Sequence, residues 1–194
     1  MAIKAADMLI ARRADTRARA DFATWKMLAK LNGASALPAE AQGFLVSYKQ
    51  LLEKGWGPVR VCIAAEQTYG HAVLGALYTA IGTRFHHEKA ERDRATVQAA
   101  LGDAGLPADL IEAYDSTEYD DALRASHEEG IKRVGYDVGT PIISVGELSI
   151  FGPVVSPVPR GEAAARLWDG LLLIAGTDGF FELKRSRTRD PIFD

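Results

Sequence analysis

The chemistry open to this chain is set first by its thiols and imidazoles, and there are few of either. Cys62 is the single cysteine in 194 residues, and the four histidines are His71, His86, His87 and His127. One cysteine excludes an internal disulfide framework, a cysteine-rich metal site and a C-x-x-C pair. Cys62 shares a stripe with Val59 and Ile63, a setting in which a thiol behaves as a small buried core residue. No histidine spacing suggests zinc, and no H-E-x-x-H occurs. His127 falls on an apolar helix face and reads as a core histidine, whereas His71 follows Gly70 in an exposed turn. His86 and His87 close a helical stretch, where an imidazole interacts favourably with the negative end of the dipole. No G-x-G-x-x-G, Walker loop or G-x-S-x-G is present, so flavin, nucleotide and serine-hydrolase chemistry have no support.

Composition narrows the partners. Hydrophobic residues make up 47% and charged residues 25%, which is ordinary for a globular chain of one domain, or of one domain carrying an insertion. A net charge of −3 argues against broad adhesion to nucleic acid or to an anionic membrane. Two local basic clusters stand out, Arg12, Arg13, Arg17 and Arg19 near the start and Lys184, Arg185, Arg187 and Arg189 near the end. With acidic residues close by, both read as solvated faces, an anionic-ligand role remaining the alternative. Lys4 and Asp7 interrupt the only apolar stretch near the start, so no signal peptide is expected. No segment approaches the roughly 18 apolar residues of a membrane span. A cytoplasmic location is the expectation.

The elements that must position these groups follow from propensity and period. Residues 2–18 favour helix, and Phe22 to Leu28 reads as a strand. Asn32-Gly33 is a turn signal. Helices then dominate. One opens at Pro38, and Gly55-Trp56-Gly57-Pro58 is read as punctuation, with Pro58 in the first turn of the next helix. That helix carries Val59, Cys62, Ile63 and Gln67. Another follows with Val73, Leu74, Leu77, Tyr78 and Ile81 apolar over a wide arc. After a turn at Gly102 to Pro107, Leu110, Ile111 and Tyr114 form a short helix. Thr117 is placed to cap a helix with the stripe Leu123, His127 and Ile131, ended by Gly135. Beyond it, Ile142 to Val145 and Leu148 to Phe151 flank Gly146-Glu147, a two-residue type II′ hairpin signal. A proline-rich connection leads to a last helix from Gly161 to Ala175. The tail is expected to pack through Phe180, Phe181 and Leu183.

The stretch Gly135 to Pro153, GYDVGTPIISVGELSIFGP, resembles the second half of the DsbA-like thioredoxin fold. More closely, the chain is similar to actinobacterial DsbA-family proteins of the mycothiol-dependent nitroreductase type. The segments carrying this are Gly57-Pro58-Val59-Arg60-Val61, Arg84-Phe85-His86, Gly105-Leu106-Pro107, Asp137 to Pro141, Pro159-Arg160-Gly161-Glu162, Leu167-Trp168-Asp169 and Glu182-Leu183-Lys184-Arg185. The likeness runs from about residue 20 to the C-terminus.

The resemblance implies an α/β, thioredoxin-like (DsbA-type) fold with a large helical insertion. Residues 1–33 and 136–194 would form the thioredoxin-like part and residues 34–135 the insertion. It further implies a cis Thr140-Pro141 step facing the redox centre, with His86 and Asn32 at the cleft. An Asn-Gly turn explains Asn32 equally well, and a dipole contact explains His86. The implied cofactor is a low-molecular-weight thiol such as mycothiol, with no metal and no nucleotide. The implied partner is a small-molecule thiol or disulfide, with no nucleic acid, no membrane and a homodimer as a possibility. One departure is large: the family's first strand and its C-x-x-C motif are not in these residues. The expectation is a native protein longer by about 20 residues, one strand and a turn. As the chain stands, no dithiol turnover is expected. The alternatives are a redox-dead binding module, or a thiol transferase or isomerase of the same fold.

Overall fold

The computed structural model describes residues 35, 39–136, 138–186, 188–189 and 191–192, and only some side chains before residue 53. The expected helix over 2–18, the strand over 22–28 and Asn32 lie outside the described residues. Described residues up to Trp56 belong to one compact unit, and those from Gly57 onward to another.

Helix α1 (Ala39–Tyr69) begins directly after Pro38, but it does not stop where Gly55-Trp56-Gly57-Pro58 predicts a break. It runs 31 residues with Pro58 in its interior. A helical proline costs one backbone hydrogen bond and crowds the preceding turn. Here the ring is fully buried, and packing overrides the local signal. Gly57 is needed for a different reason: a Cβ there would overlap the ring of Tyr114.

The second unit holds the core. Val61, Cys62, Ala64 and Ala65 of α1 pack with Leu74, Leu77 and Ile81 of α2 (Leu74–Gly82), and with Val97, Ala100 and Leu101 of α3 (Arg94–Asp103). These are the three- and four-residue spacings that the sequence displays. Asp93 caps α3, accepting from the Thr96 N–H at 2.9 Å. A 3-10 stretch, Ala108–Tyr114, supplies Ile111 and Ala113 to the same core.

The expected Thr117 cap is displaced by one residue. Ser116 Oγ accepts from the Glu118 N–H and opens a 3-10 turn, Thr117–Tyr119, from which α4 (Asp120–Val134) continues. Asp120 is then free to grip Arg60 of α1 at 2.6 and 3.0 Å. Leu123 and Ile131 of α4 are buried, and Gly135 at φ 95° ends the helix as expected, its N–H donating to the Ile131 carbonyl.

The sheet among the described residues is a two-stranded antiparallel hairpin, β1 (Ile142–Val145) with β2 (Leu148–Phe151), in the register Ile142↔Phe151 to Val145↔Leu148. Gly146 takes φ 59°, as the Gly-first turn requires. The hairpin packs on α4 and, through β2, on α5 (Glu162–Ala175). The expected α5 stripe of Ala164, Leu167, Trp168, Leu171, Leu172 and Ala175 faces inward but is only half-buried. Its tail does not pack as expected: Phe181 is 95% exposed and Leu183 78%. Among the described residues, the buried apolar side chains lie between Pro58 and Ile131. The molecule is thus mixed, helical with a small sheet, and its densest packing is helical.

Candidate functional site

Thr140 and Pro141 stand at the entrance to β1, where α4 has ended and the chain must reverse into the hairpin. The Thr140-Pro141 peptide is cis, as are Gly152-Pro153 and Ser156-Pro157 in the connection leaving β2. The Gly152 N–H donates to the Pro141 carbonyl at 2.8 Å, so the proline extends the ladder by one rung although it has no donor of its own. Ser144 and Ser149 Oγ are 2.8 Å apart across the hairpin.

Two features of this corner bear on chemistry. From Val138 to Phe151, Glu147 in the turn is the one side chain that carries a formal charge. Secondly, Thr140 Oγ1 is shut off from solvent and has no hydrogen-bond partner among the described residues. An enclosed hydroxyl without a partner costs about 1–3 kcal/mol, so such a group calls for an explanation. A ligand that supplies the missing bond is one.

His86 lies in a π-helical turn, Thr83–His87, that continues α2. Such turns recur at functional sites because they re-aim side chains. Phe85 is buried beneath this turn, with the Arg92 guanidinium 4.6 Å from its ring centre, and Arg84 is held by Asp103 at 2.6 Å. The imidazole of His86 is half-buried. Its turn packs on α2, whereas Thr140 and Pro141 lead into a hairpin packed on α4 and α5. Thr140 and Pro141 are adjacent at the entrance to β1, and His86 lies on the turn that continues α2. His127 sits between Leu123 and Ile131, half-buried, its Nδ1 enclosed and without a hydrogen-bond partner among the described residues. The sequence marks it only as a core histidine.

Cys62 is 3% exposed among Val61, Ala64 and Ala65. Burial, reinforced by the nearby Glu66 charge, pushes its thiol up to about 12. The thiolate is the nucleophile, so this sulfur is inert near neutrality. Alkylation of the native protein at pH 7 should leave Cys62 unmodified, with full labelling only after unfolding. Rapid labelling of the folded chain, read by intact mass, would contradict its burial. No groups of three or more potential metal-ligating side chains occur among the described residues. No described helix is long and apolar enough to cross a membrane.

The described residues thus form a mixed helical fold with a small sheet whose hairpin is entered through a cis Thr140-Pro141 step. A family model described as "Rv2466c-like: Mycothiol-dependent nitroreductase Rv2466c" matches residues 19–185. The chain belongs to that family. It is also similar to the uncharacterized protein Rv2286c of Mycobacterium tuberculosis, 31% identical over 137 residues. That alignment covers 69% of this chain and 58% of the relative, so the chain matches little more than half of the longer protein's length.

Proposed function

We propose that this chain forms the ligand-binding body of a mycothiol-type, thiol-dependent oxidoreductase with a DsbA-like thioredoxin fold, residues 34–135 being its helical insertion. The observation that carries the reading is the cis Thr140-Pro141 corner with its enclosed, unpartnered hydroxyl, in a chain that matches a mycothiol-dependent nitroreductase family. In this reading Thr140 and Pro141 hold the thiol's backbone-like groups. Asn32 and His86 contribute polar contacts at the cleft, and His86 can carry a proton because imidazole titrates near neutrality. Thiol-disulfide chemistry needs a thiolate that attacks one sulfur of a disulfide: one S–S bond forms, another breaks, and the departing thiolate takes up a proton. The buried Cys62 is not that thiolate, so the 194 residues by themselves are expected to bind a thiol and not to turn over a disulfide. The setting of such chemistry in this reading is soluble and cytoplasmic.

A second reading, a thioredoxin-fold module that binds without redox chemistry, is favoured by one observation, that the chain's sole thiol is shut inside the helical core. Cys62→Ala tests both readings, because any disulfide reduction that it abolishes would place the chemistry at Cys62 and overturn both.

Thr140→Val tests the site. The swap replaces an enclosed, unpartnered hydroxyl by a methyl group, so the free protein should be as stable as wild type or more so. Ligand binding should move the other way. A thiol at 100 times its dissociation constant stabilises the wild type by about 2.7 kcal/mol. In thermal-shift titrations with mycothiol, glutathione and cysteine, at least one should raise the wild-type melting temperature, and that shift should shrink in the variant. An undiminished shift in Thr140→Val, or no shift with any thiol, would remove Thr140 from the site.

A further inference from the structure

Four enclosed polar side-chain atoms lack a hydrogen-bond partner among the described residues. Two of them belong to side chains engaged in other ways: Arg92 lies over the Phe85 ring, and Arg94 Nε faces Asp115 at 3.3 Å. The other two are Thr140 Oγ1, at the corner already described, and His127 Nδ1. An imidazole nitrogen accepts or donates a hydrogen bond according to its tautomer, and an enclosed one that does neither is costly. Packing alone therefore does not account for a histidine at this position.

His127 stands midway along α4, four residues from Leu123 and four from Ile131. Both neighbours are buried, so the ring lies on the face that the helix turns inward. Both strands of the hairpin pack on this same helix. Gly135, at φ 95°, redirects the chain as it leaves α4, and the Tyr136 hydroxyl then donates to Glu128 at 2.9 Å, one residue beyond His127. Glu128 is also paired with Lys132 at 3.6 Å, so this neighbouring carboxylate is already engaged. Thr140 follows Tyr136 by four residues and leads into the strand that packs on α4.

We infer that His127 Nδ1 is a second ligand contact of the site entered at Thr140, with one hydrogen bond coming from α4 and one from the start of the hairpin. The inference rests on the proposed thiol site and adds a residue to it. Two directional bonds from different elements fix the orientation of a ligand, which one hydroxyl by itself leaves free to turn. A ligand that answers both atoms carries at least two hydrogen-bonding groups of its own.

Substitutions at His127 separate the nitrogen from the ring. The amide of asparagine puts a polar atom where Nδ1 stands, that of glutamine reaches the place of Nε2, and leucine offers neither. In thermal-shift titrations with mycothiol, glutathione and cysteine, a thiol that stabilises the wild type should bind roughly tenfold more weakly to His127→Gln and His127→Leu, and within about threefold of wild type to His127→Asn. In nitrogen NMR spectra of the wild type, the Nδ1 resonance of His127 should move as that thiol is added, whether or not any variant folds. A structural histidine would show neither effect. Unchanged affinity in all three variants overturns the inference, and so does an Nδ1 resonance unmoved at saturation. A loss in His127→Asn as large as in His127→Leu overturns it too, because the bulk of the ring would then be responsible. In each of these cases weaker binding to Thr140→Val would show that the thiol site stands without His127. If no thiol stabilises the wild type, the site and the inference fall together.

Discussion

Gly57→Ala is expected to destabilise the protein by about 1–3 kcal/mol, the range of overpacking in a filled site. The sign is what makes the substitution informative. In an exposed helix interior the same change should stabilise by up to about 1 kcal/mol, since glycine is a poor helix former. At this position the added Cβ would overlap Tyr114, whose ring lies directly on the α1 backbone. The ring cannot leave easily, because it packs against the helical core, and its burial raises the phenol's ionisation above its usual value. Truncating the ring should remove the conflict. In a Tyr114→Ala background, Gly57→Ala should be neutral or stabilising, a coupling within the 0.5–3 kcal/mol found between contacting residues. Urea midpoints of the four proteins in the cycle provide the measurement. A Gly57→Ala protein more stable than wild type would show that Tyr114 does not lie where the structure puts it.

The second large effect is expected at the Arg60–Asp120 pair, which ties α1 to the first turn of α4. The two bonds, at 2.6 and 3.0 Å, are bidentate, and the side chains are only 15% and 20% exposed. Asp120→Ala removes both charge-assisted bonds and should cost about 1–3 kcal/mol. The pH dependence follows from the same geometry. The hydrogen bond from Arg60, and then its charge, hold the Asp120 carboxyl below its ordinary value. A carboxyl depressed by folding contributes stability that is fully present above its unfolded value, about 3.9, and lost as pH falls through the lower folded value. Below about pH 4 the wild type should therefore lose stability more steeply than Asp120→Asn. Asp93 and Asp103 are also held low, by the Thr96 N–H and by Arg84 respectively, but they are the same in both proteins. The difference between the two curves isolates Asp120. Parallel acid titrations of the two proteins would show that Arg60 and Asp120 do not form the pair.

Much of this architecture can be read from local order in the sequence. The hairpin follows from two β-branched runs flanking Gly146-Glu147, since few turns fit two residues between strands. The stripes of α2 and α5 follow from period, and Cys62 among Val59 and Ile63 already looks like core. The Ser116 cap differs from the expected Thr117 by one residue, because both can accept from a backbone N–H and only the chain's path chooses. The tail is another limit. Phe180, Phe181 and Leu183 look apolar enough to pack, but only Phe180 is half-buried. Hydrophobicity states a preference and does not name a surface to satisfy it.

For the site, the proposal at Thr140-Pro141 rests on the family resemblance, since local physics alone would leave the step an ordinary strand start. The π-helical turn under His86 has no local signature. The enclosure of Thr140 Oγ1 and His127 Nδ1 depends on which elements cover them.

By itself, the sequence determined the element types, the single thiol, and the uncharged hairpin corner, because these depend on residue identity and short-range period. Only the tertiary structure decided that α1 runs through Pro58, since the ring that settles on Gly57 arrives from Tyr114, far along the chain. It also decided that Cys62 is chemically silent. Burial, proximity and the electrostatics that follow from them are properties of residues brought together from distant parts of the chain.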